Sequence, residues 1–175
     1  MSEGTPISAA TFGRQIVNKL PGVECTPKED GVLECIVPAD KIRDVAGMIN
    51  EVISDAFPET VFGVDLQEDK YELIYIFWSR TNRTQYHLRV SLEGSNPEVE
   101  TVCDIFPGME WHERETHEMF GINFKGHPDL RLLLLPEELE GKYPLRKSFV
   151  TDRARLDEAD RTPTTPKPTE GGATE

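Results

Sequence analysis

From Val61 to Leu92 the sequence runs through three β-type segments separated only by short polar breaks, a succession that few folds can accommodate. Val61 to Leu66 and Tyr71 to Trp78 flank the polar turn Gln67-Glu68-Asp69-Lys70, and after Thr81-Asn82-Arg83 the chain returns as Gln85 to Leu92. In the last segment Tyr86, Leu88, Val90 and Leu92 alternate with Gln85, His87, Arg89 and Ser91, so one face of the sheet is buried and the other partly wet. Tyr71 to Trp78 is apolar on both faces, which predicts a central strand.

Helical spacing precedes these strands. Thr5-Pro6 reads as an N-cap with proline in the first turn, and Phe12, Ile16 and Leu20 repeat every four residues until Pro21-Gly22. Val32 to Val37 reads as a short strand. Pro38 then opens a helix whose apolar face holds Ile42, Val45, Ala46, Ile49, Val52, Ile53 and Ala56, with Pro58 as its stop. The expected fold class is α+β: N-terminal helices packed on a mostly antiparallel sheet, followed by a charged helix and an extended C-terminal arm. Neither a G-x-G-x-x-G loop nor a P-loop is present to suggest a nucleotide-binding sheet.

After Pro97, Thr101 is placed to cap a short helix through Phe106, and a longer helix is expected from about Met109 to Phe120, stopping at Gly121. From Asn123 to Phe149 periodicity fades, prolines recur at 128, 136 and 144, and Arg131, Lys142, Arg146 and Lys147 accumulate. This predicts an arm lying on another surface. The Thr-, Pro- and Gly-rich end has no large apolar residues to offset its ordering entropy, so it is expected to be disordered unless docked. The organisation expected is therefore a domain over 1–122, an arm over 123–149 and a tail over 150–175.

A formal net charge of −13 argues against a nucleic-acid partner, which selects for basic surfaces. The longest apolar runs, Leu73 to Trp78 and Leu132 to Leu135, are too short to cross a bilayer, and the N-terminus has no export signal, so a cytoplasmic location is expected. Cys25, Cys35 and Cys103 show no C-x-x-C spacing and are read as packing thiols in a reducing compartment, not as cluster or zinc ligands.

The segment Glu113-Arg114-Glu115-Thr116-His117-Glu118-Met119-Phe120-Gly121 concentrates charge at helical spacing. His112-Glu113 with His117 imitates a zinc-hydrolase helix, but that motif needs histidines four apart on one helix face, and histidines five apart diverge by roughly 140° at about 100° per residue. Glu113 and Glu115, two apart, do not face each other as a catalytic pair. Arg114 lies one turn from Glu110 and Glu118 and reads as part of a surface ion-pair ladder. Glu115, four residues from both Trp111 and Met119, falls on an apolar stripe, so burial is expected together with a partner, Arg131 or Arg146, carried back by the arm.

Glu113-Arg114-Glu115, two residues, Glu118, Met119-Phe120-Gly121, then His127-Pro128, Arg131 and the later Pro144-Leu145-Arg146-Lys147 resembles the signature of the NuoC-type, 30 kDa subunit family of respiratory complex I. The resemblance is dense over 101–149 and implies a structural, cofactor-free subunit without catalytic residues of its own, in the peripheral arm of a membrane-bound, ion-translocating oxidoreductase. It further implies iron–sulfur clusters and flavin in partner subunits. The partners implied are the large, NuoD-type quinone-site subunit and the neighbouring iron–sulfur subunits, on the cytoplasmic side of the membrane, with the arm as a clamp on the large one. His117-Glu118 and Ser148 depart from the bacterial and mitochondrial pattern, which leaves NADH, reduced coenzyme F420 and ferredoxin open as donors, quinone and methanophenazine as acceptors. Homologous subunits of membrane-bound hydrogenases stay open as well, with a stand-alone metalloenzyme using His112, His117 and His127 as the rival.

Overall fold

A computed structural model describes residues 6–150. The chain order is helix α1 (Ala9–Lys19), strands β1 (Glu24–Pro27) and β2 (Val32–Ile36), helix α2 (Ile42–Val52), strands β3 (Ala56–Gln67), β4 (Lys70–Ser79), β5 (Thr84–Glu93) and β6 (Glu98–Glu100), helix α3 (Glu110–Phe120) and strand β7 (Asn123–Lys125). Five strands form one sheet in the order β1-β2-β5-β4-β3, antiparallel except for the parallel β2–β5 pair, and β6 pairs in parallel with β7. The α+β class expected from the sequence is the class observed.

The sheet buries one face. Leu33 and Cys35 of β2, Tyr86, Leu88 and Val90 of β5, and Leu73, Tyr75 and Phe77 of β4 are all but fully enclosed, and α1 and α2 close over them with Phe12, Ile16, Ile42, Val45 and Ile49. Helix α2 carries the chain from β2 to β3, which lies across the sheet beyond β5 and β4. The opposite face carries Gln85, His87, Arg89 and Ser91, the wet set expected from the alternation. Arg89 bridges Glu72 at 2.7 Å and Glu34 at 3.4 Å there.

Several local expectations change. The first helix is capped by Ser8, whose hydroxyl accepts from the Thr11 amide at 3.2 Å, one turn later than the proline suggests; Thr5 lies outside the described residues. Helix α2 stops at Val52, and Ala56 to Pro58 belong to β3, because Pro58 sits on an edge strand at a register shift where its missing N–H breaks no ladder. Strand β1 went unread in the sequence, being four residues long and largely exposed. Thr101 to Phe106 makes a single turn, not a helix, with Val102 accepting from the Ile105 and Phe106 amides.

The reading of three packing thiols is corrected by a disulfide between Cys25 and Cys35. These residues face each other directly in the β1–β2 register, a proximity that needs both strands and is invisible in a spacing of ten residues. Cys103 is the free, buried thiol. The tail from 151 onward lies outside the described residues.

Phe12 is fully buried and meets Tyr86 edge-on with ring centroids 5.6 Å apart. Phe12→Ala is expected to lower unfolding stability by about 3–5 kcal/mol in urea titration, because α1 has no second aromatic with which to fill the cavity.

Candidate functional site

Helix α3 is the most charged helix among the described residues, yet it buries Glu113, Thr116, Glu118 and Phe120. Pro107-Gly108-Met109 forms a 3-10 turn that leads into it, and fully buried Met109 anchors that end in the core. Thr116 donates its hydroxyl to the Val61 carbonyl at 3.2 Å, so the helix covers the free edge of β3. Phe120 lies over Gly63, where a Cβ would stand 2.8 Å from the ring.

Glu113, fully enclosed, ties three elements together. Its Oε1 accepts from the Tyr75 hydroxyl of β4 at 3.0 Å and from the Val102 amide at 2.9 Å, while Oε2 accepts from the Thr101 hydroxyl. Burial raises the Glu113 pKa above the ordinary carboxyl value, and the three donors pull it only partly back. Tyr75 is pushed well above its ordinary value, by burial first and by the adjacent carboxylate second.

The expectation for Glu115 is overturned. Glu115 and Trp111 face outward, the latter 62% exposed, because the helix turns its 109, 113, 116 and 120 stripe toward the sheet. Of the stripe of 111, 115 and 119, only Met119 is partly buried and packs against the core, while Trp111 and Glu115 are exposed. Arg131 pairs instead with Asp129, at 2.8 Å from Nη2, and its side chain is 83% exposed. That pairing, with the Arg131 amide and Arg114, holds the Asp129 carboxyl far below its usual range.

Arg146 does lock the arm to α3, by another route. Its Nε donates to the Phe120 carbonyl at 2.7 Å, at the helix C-terminus where a cation is favoured, and its guanidinium lies over the rings of Tyr143 at 4.4 Å and Tyr71 at 5.1 Å. Gly121, with φ of 71°, ends the helix in a left-handed conformation, and a Cβ there would stand 2.6 Å from both Arg146 and Tyr143. The Lys147 amide donates to Asp65 Oδ2 at 2.7 Å; burial opposes that charge, but the Lys147 and Gln67 amides outweigh it and hold the carboxyl low.

Arg114 does not form the surface ladder expected. It reaches the arm, donating to the Arg131 carbonyl and, from Nη2, to the Leu132 carbonyl, each at 2.5 Å. Glu118 takes the complementary groups, accepting from the Leu134 amide at 3.0 Å and the Leu135 amide at 2.5 Å. His127 donates from Nε2 to the Glu110 carbonyl at 2.9 Å and accepts at Nδ1 from the Asp129 amide at 3.1 Å. His117 donates from Nδ1 to the Ile122 carbonyl at 2.8 Å.

The signature residues thus divide by direction. Glu113, Arg114, Glu118, Phe120, Gly121, His127 and Arg146 brace the fold, whereas Glu115, Pro128, Arg131, Leu145 and Lys147 lie exposed and Pro144 is half-buried. Three potential metal ligands, Cys103, Glu113 and His127, stand within 4.8 Å of one another. They are a poor cage, since both His127 nitrogens and both Glu113 oxygens are already engaged in hydrogen bonds that a cation would have to displace. Sequence reading missed Tyr75, Asp65, Asp129 and Tyr143 as partners. Only Thr101 carried a local signal, as a capping residue, because the others meet α3 through pairings between distant parts of the chain.

Comparison with known proteins finds a family described as "Respiratory-chain NADH dehydrogenase, 30 Kd subunit" matching residues 35–155. An NADH-quinone oxidoreductase subunit of Roseiflexus sp. is 40% identical over 121 residues, spanning 67% of this chain and 69% of the relative. An F(420)H(2) dehydrogenase subunit of Methanosarcina mazei is 34% identical over 118 residues, spanning 67% of this chain and 75% of that protein. Among solved structures, a chain of the membrane-bound sulfane sulfur reductase, an archaeal respiratory membrane complex, superposes with a TM-score of 0.73 at 25% identity, covering 91% of this chain and 96% of that one. A trypsin-resistant fragment of Nqo5 gives a TM-score of 0.56 at 21% identity, over 68% of this chain and 99% of the fragment, a likeness of fold alone.

The braces on α3 can be probed by pH and by hydrogen exchange. Because the folded pKa of Glu113 lies above 4.5, its contribution to stability is fully present below that pH and is lost as pH rises through the folded value. The stability of Glu113→Gln relative to the native chain should therefore improve between about pH 4 and about pH 7 in urea titrations, and an unchanging difference would contradict the raised value. Glu118→Ala should release the Leu134 and Leu135 amides at a cost of about 1–3 kcal/mol, read as faster hydrogen exchange at those two amides than at Leu73 or Leu88 of the sheet.

Proposed function

The chain belongs to the 30 kDa subunit family of respiratory-chain NADH dehydrogenases and is a subunit of a complex I-like oxidoreductase; from that premise we propose that its part in the assembly is structural, without cofactor or catalytic residue of its own. The observation that carries this reading is the state of the charged helix. Every buried polar side-chain atom among the described residues has a hydrogen-bond partner, and the most unusual buried acid, Glu113, is saturated by three donors. A general acid or base must reach a substrate proton, and Glu113 reaches only the fold.

In this reading the electron carriers, iron–sulfur clusters and flavin, reside in neighbouring subunits. The large quinone-site subunit receives the outward side of the arm, where Leu134 and Leu145 are 63% and 56% exposed. Among the described residues no helix is long and apolar enough to cross a membrane, which agrees with attachment through the complex; the side we propose is the cytoplasmic one. The relatives named for NADH-quinone and F(420)H(2) oxidation differ in electron donor while sharing this subunit, as a structural role independent of the donor requires.

Affinity capture of the tagged chain from detergent-solubilised native membranes tests the proposal. Co-elution of the large subunit and iron–sulfur subunits is expected, and their identity would name the donor. Elution of the chain alone would defeat it. Leu134→Asp, altering an exposed side chain, should reduce co-elution at least about tenfold, the loss expected for removing one central contact, while moving Tm by no more than about 2 °C.

A further inference from the structure

Strand β4 carries the pattern of a strand sandwiched between two layers, but the described residues supply only one. Tyr71, Leu73, Tyr75 and Phe77 point into the core, and the alternate residues Ile74, Ile76 and Trp78 point to the face opposite the helices. The register continues the apolar surface onto the edge strand, where Phe57 stands opposite Trp78, Thr60 opposite Ile76 and Phe62 opposite Ile74. Phe57 is 61% exposed, Phe62 41% and Trp78 36%, and Ile74 and Ile76 are half-buried. Folded monomers scatter apolar residues singly over their surfaces, whereas a contiguous two-strand ladder of five marks an interface.

Glu59 and Glu115 border this ladder without a salt-bridge partner among the described residues, while Arg89, opposite Ile74, is paired with Glu72 and Glu34. Glu59 follows Phe57 on β3, and Glu115 lines the crevice in which Phe62, Met119 and Leu145 meet beside the edge strand. Basic residues on the same sheet face are engaged, Arg89 with Glu72 and Glu34, Lys28 with Glu34 at 3.2 Å and Lys70 with Glu68 at 3.8 Å. The available field is therefore negative around an apolar centre. A second copy of the chain would set these carboxylates against each other, and an anionic membrane surface would be repelled by them.

We propose that the outer β3–β4 face, formed by Phe57, Phe62, Ile74, Ile76 and Trp78, is the docking surface for a partner subunit whose contact region is apolar at its centre and bordered by lysine or arginine. It supplies the second layer that β4 is built to receive. This surface is distinct from the outward side of the arm around Leu134, and the two meet at the crevice shared by Phe62 and Leu145. The inference rests on the reading of the chain as a subunit of a larger assembly.

The test places a photoreactive phenylalanine analogue at Phe62, at Trp78 and, as a control, at exposed Glu51 of α2, in the full chain assembled in native membranes. Adducts from Phe62 and Trp78, but not from Glu51, to a peptide of another polypeptide that is apolar and flanked by Lys or Arg are expected. Adducts only to lipid or to a second copy, or no adduct from either position, would overturn the proposal. In parallel, Trp78→Glu should leave the melting of the isolated chain nearly unchanged and lower capture of the assembly at least about tenfold, and undiminished capture would overturn it as well. An adduct of the expected chemistry on a protein outside any oxidoreductase would uphold this surface while removing the complex-subunit reading, so the two failures are separable.

Discussion

The buried carboxyl of Glu113 and its three donors fix where α3 sits, and much of the chain takes its position from α3. Tyr75 belongs to the sheet, Thr101 and Val102 to the segment before the helix, and Glu113 to the helix itself, so one side chain registers three elements against one another. Enclosing an acid is unfavourable unless its oxygens are satisfied, and removing any donor would leave that penalty uncompensated. The same bonds make the arrangement selective. A helix shifted by one residue would present Arg114 or His112 to the Tyr75 hydroxyl, and neither could accept from the Val102 amide while remaining charged.

From this fixed point the order propagates toward the C-terminus. The stripe that carries Glu113 inward also carries Thr116 to the edge of β3 and Phe120 onto Gly63. Gly121 then turns the chain, and its lack of a side chain leaves room for the guanidinium of Arg146 and the ring of Tyr143. Arg146 in turn places a cation against the terminal carbonyl of the helix and against two aromatic faces. The charged helix is thus a latch for its own chain before it is anything for a partner, and its outward members are those left over once the latch is closed.

Much of the fold was legible because periodicity reports burial. The alternation from Tyr86 to Leu92 and the four-residue repeats of the first two helices gave sheet and helices in the right order, and Gly121 marked the end of α3. What stayed hidden depended on distant pairing. The Cys25–Cys35 bond requires the β1–β2 register, and the partners of Glu113 come from β4 and from the turn at Thr101. Around Glu115 the spacing misleads: Trp111, Glu115 and Met119 satisfy helical periodicity as well as the true buried stripe does, and hydrophobicity alone chose the wrong side. Carboxylates on α3 were buried where they could be saturated, not where their neighbours were greasiest.

The grip on the arm has a consequence for how such a chain can change over time. Arg114 holds the carbonyls of Arg131 and Leu132, and Glu118 holds the amides of Leu134 and Leu135, so four successive contacts engage backbone atoms that every residue at those positions would supply. The path of this segment is therefore independent of its lettering, proline excepted at the two amides. The exposed side chains along it, at 131 and 134, are free to be rewritten to suit whichever neighbour they face, while the route they travel stays the same. A scaffold of this kind can follow an evolving partner without having to refold.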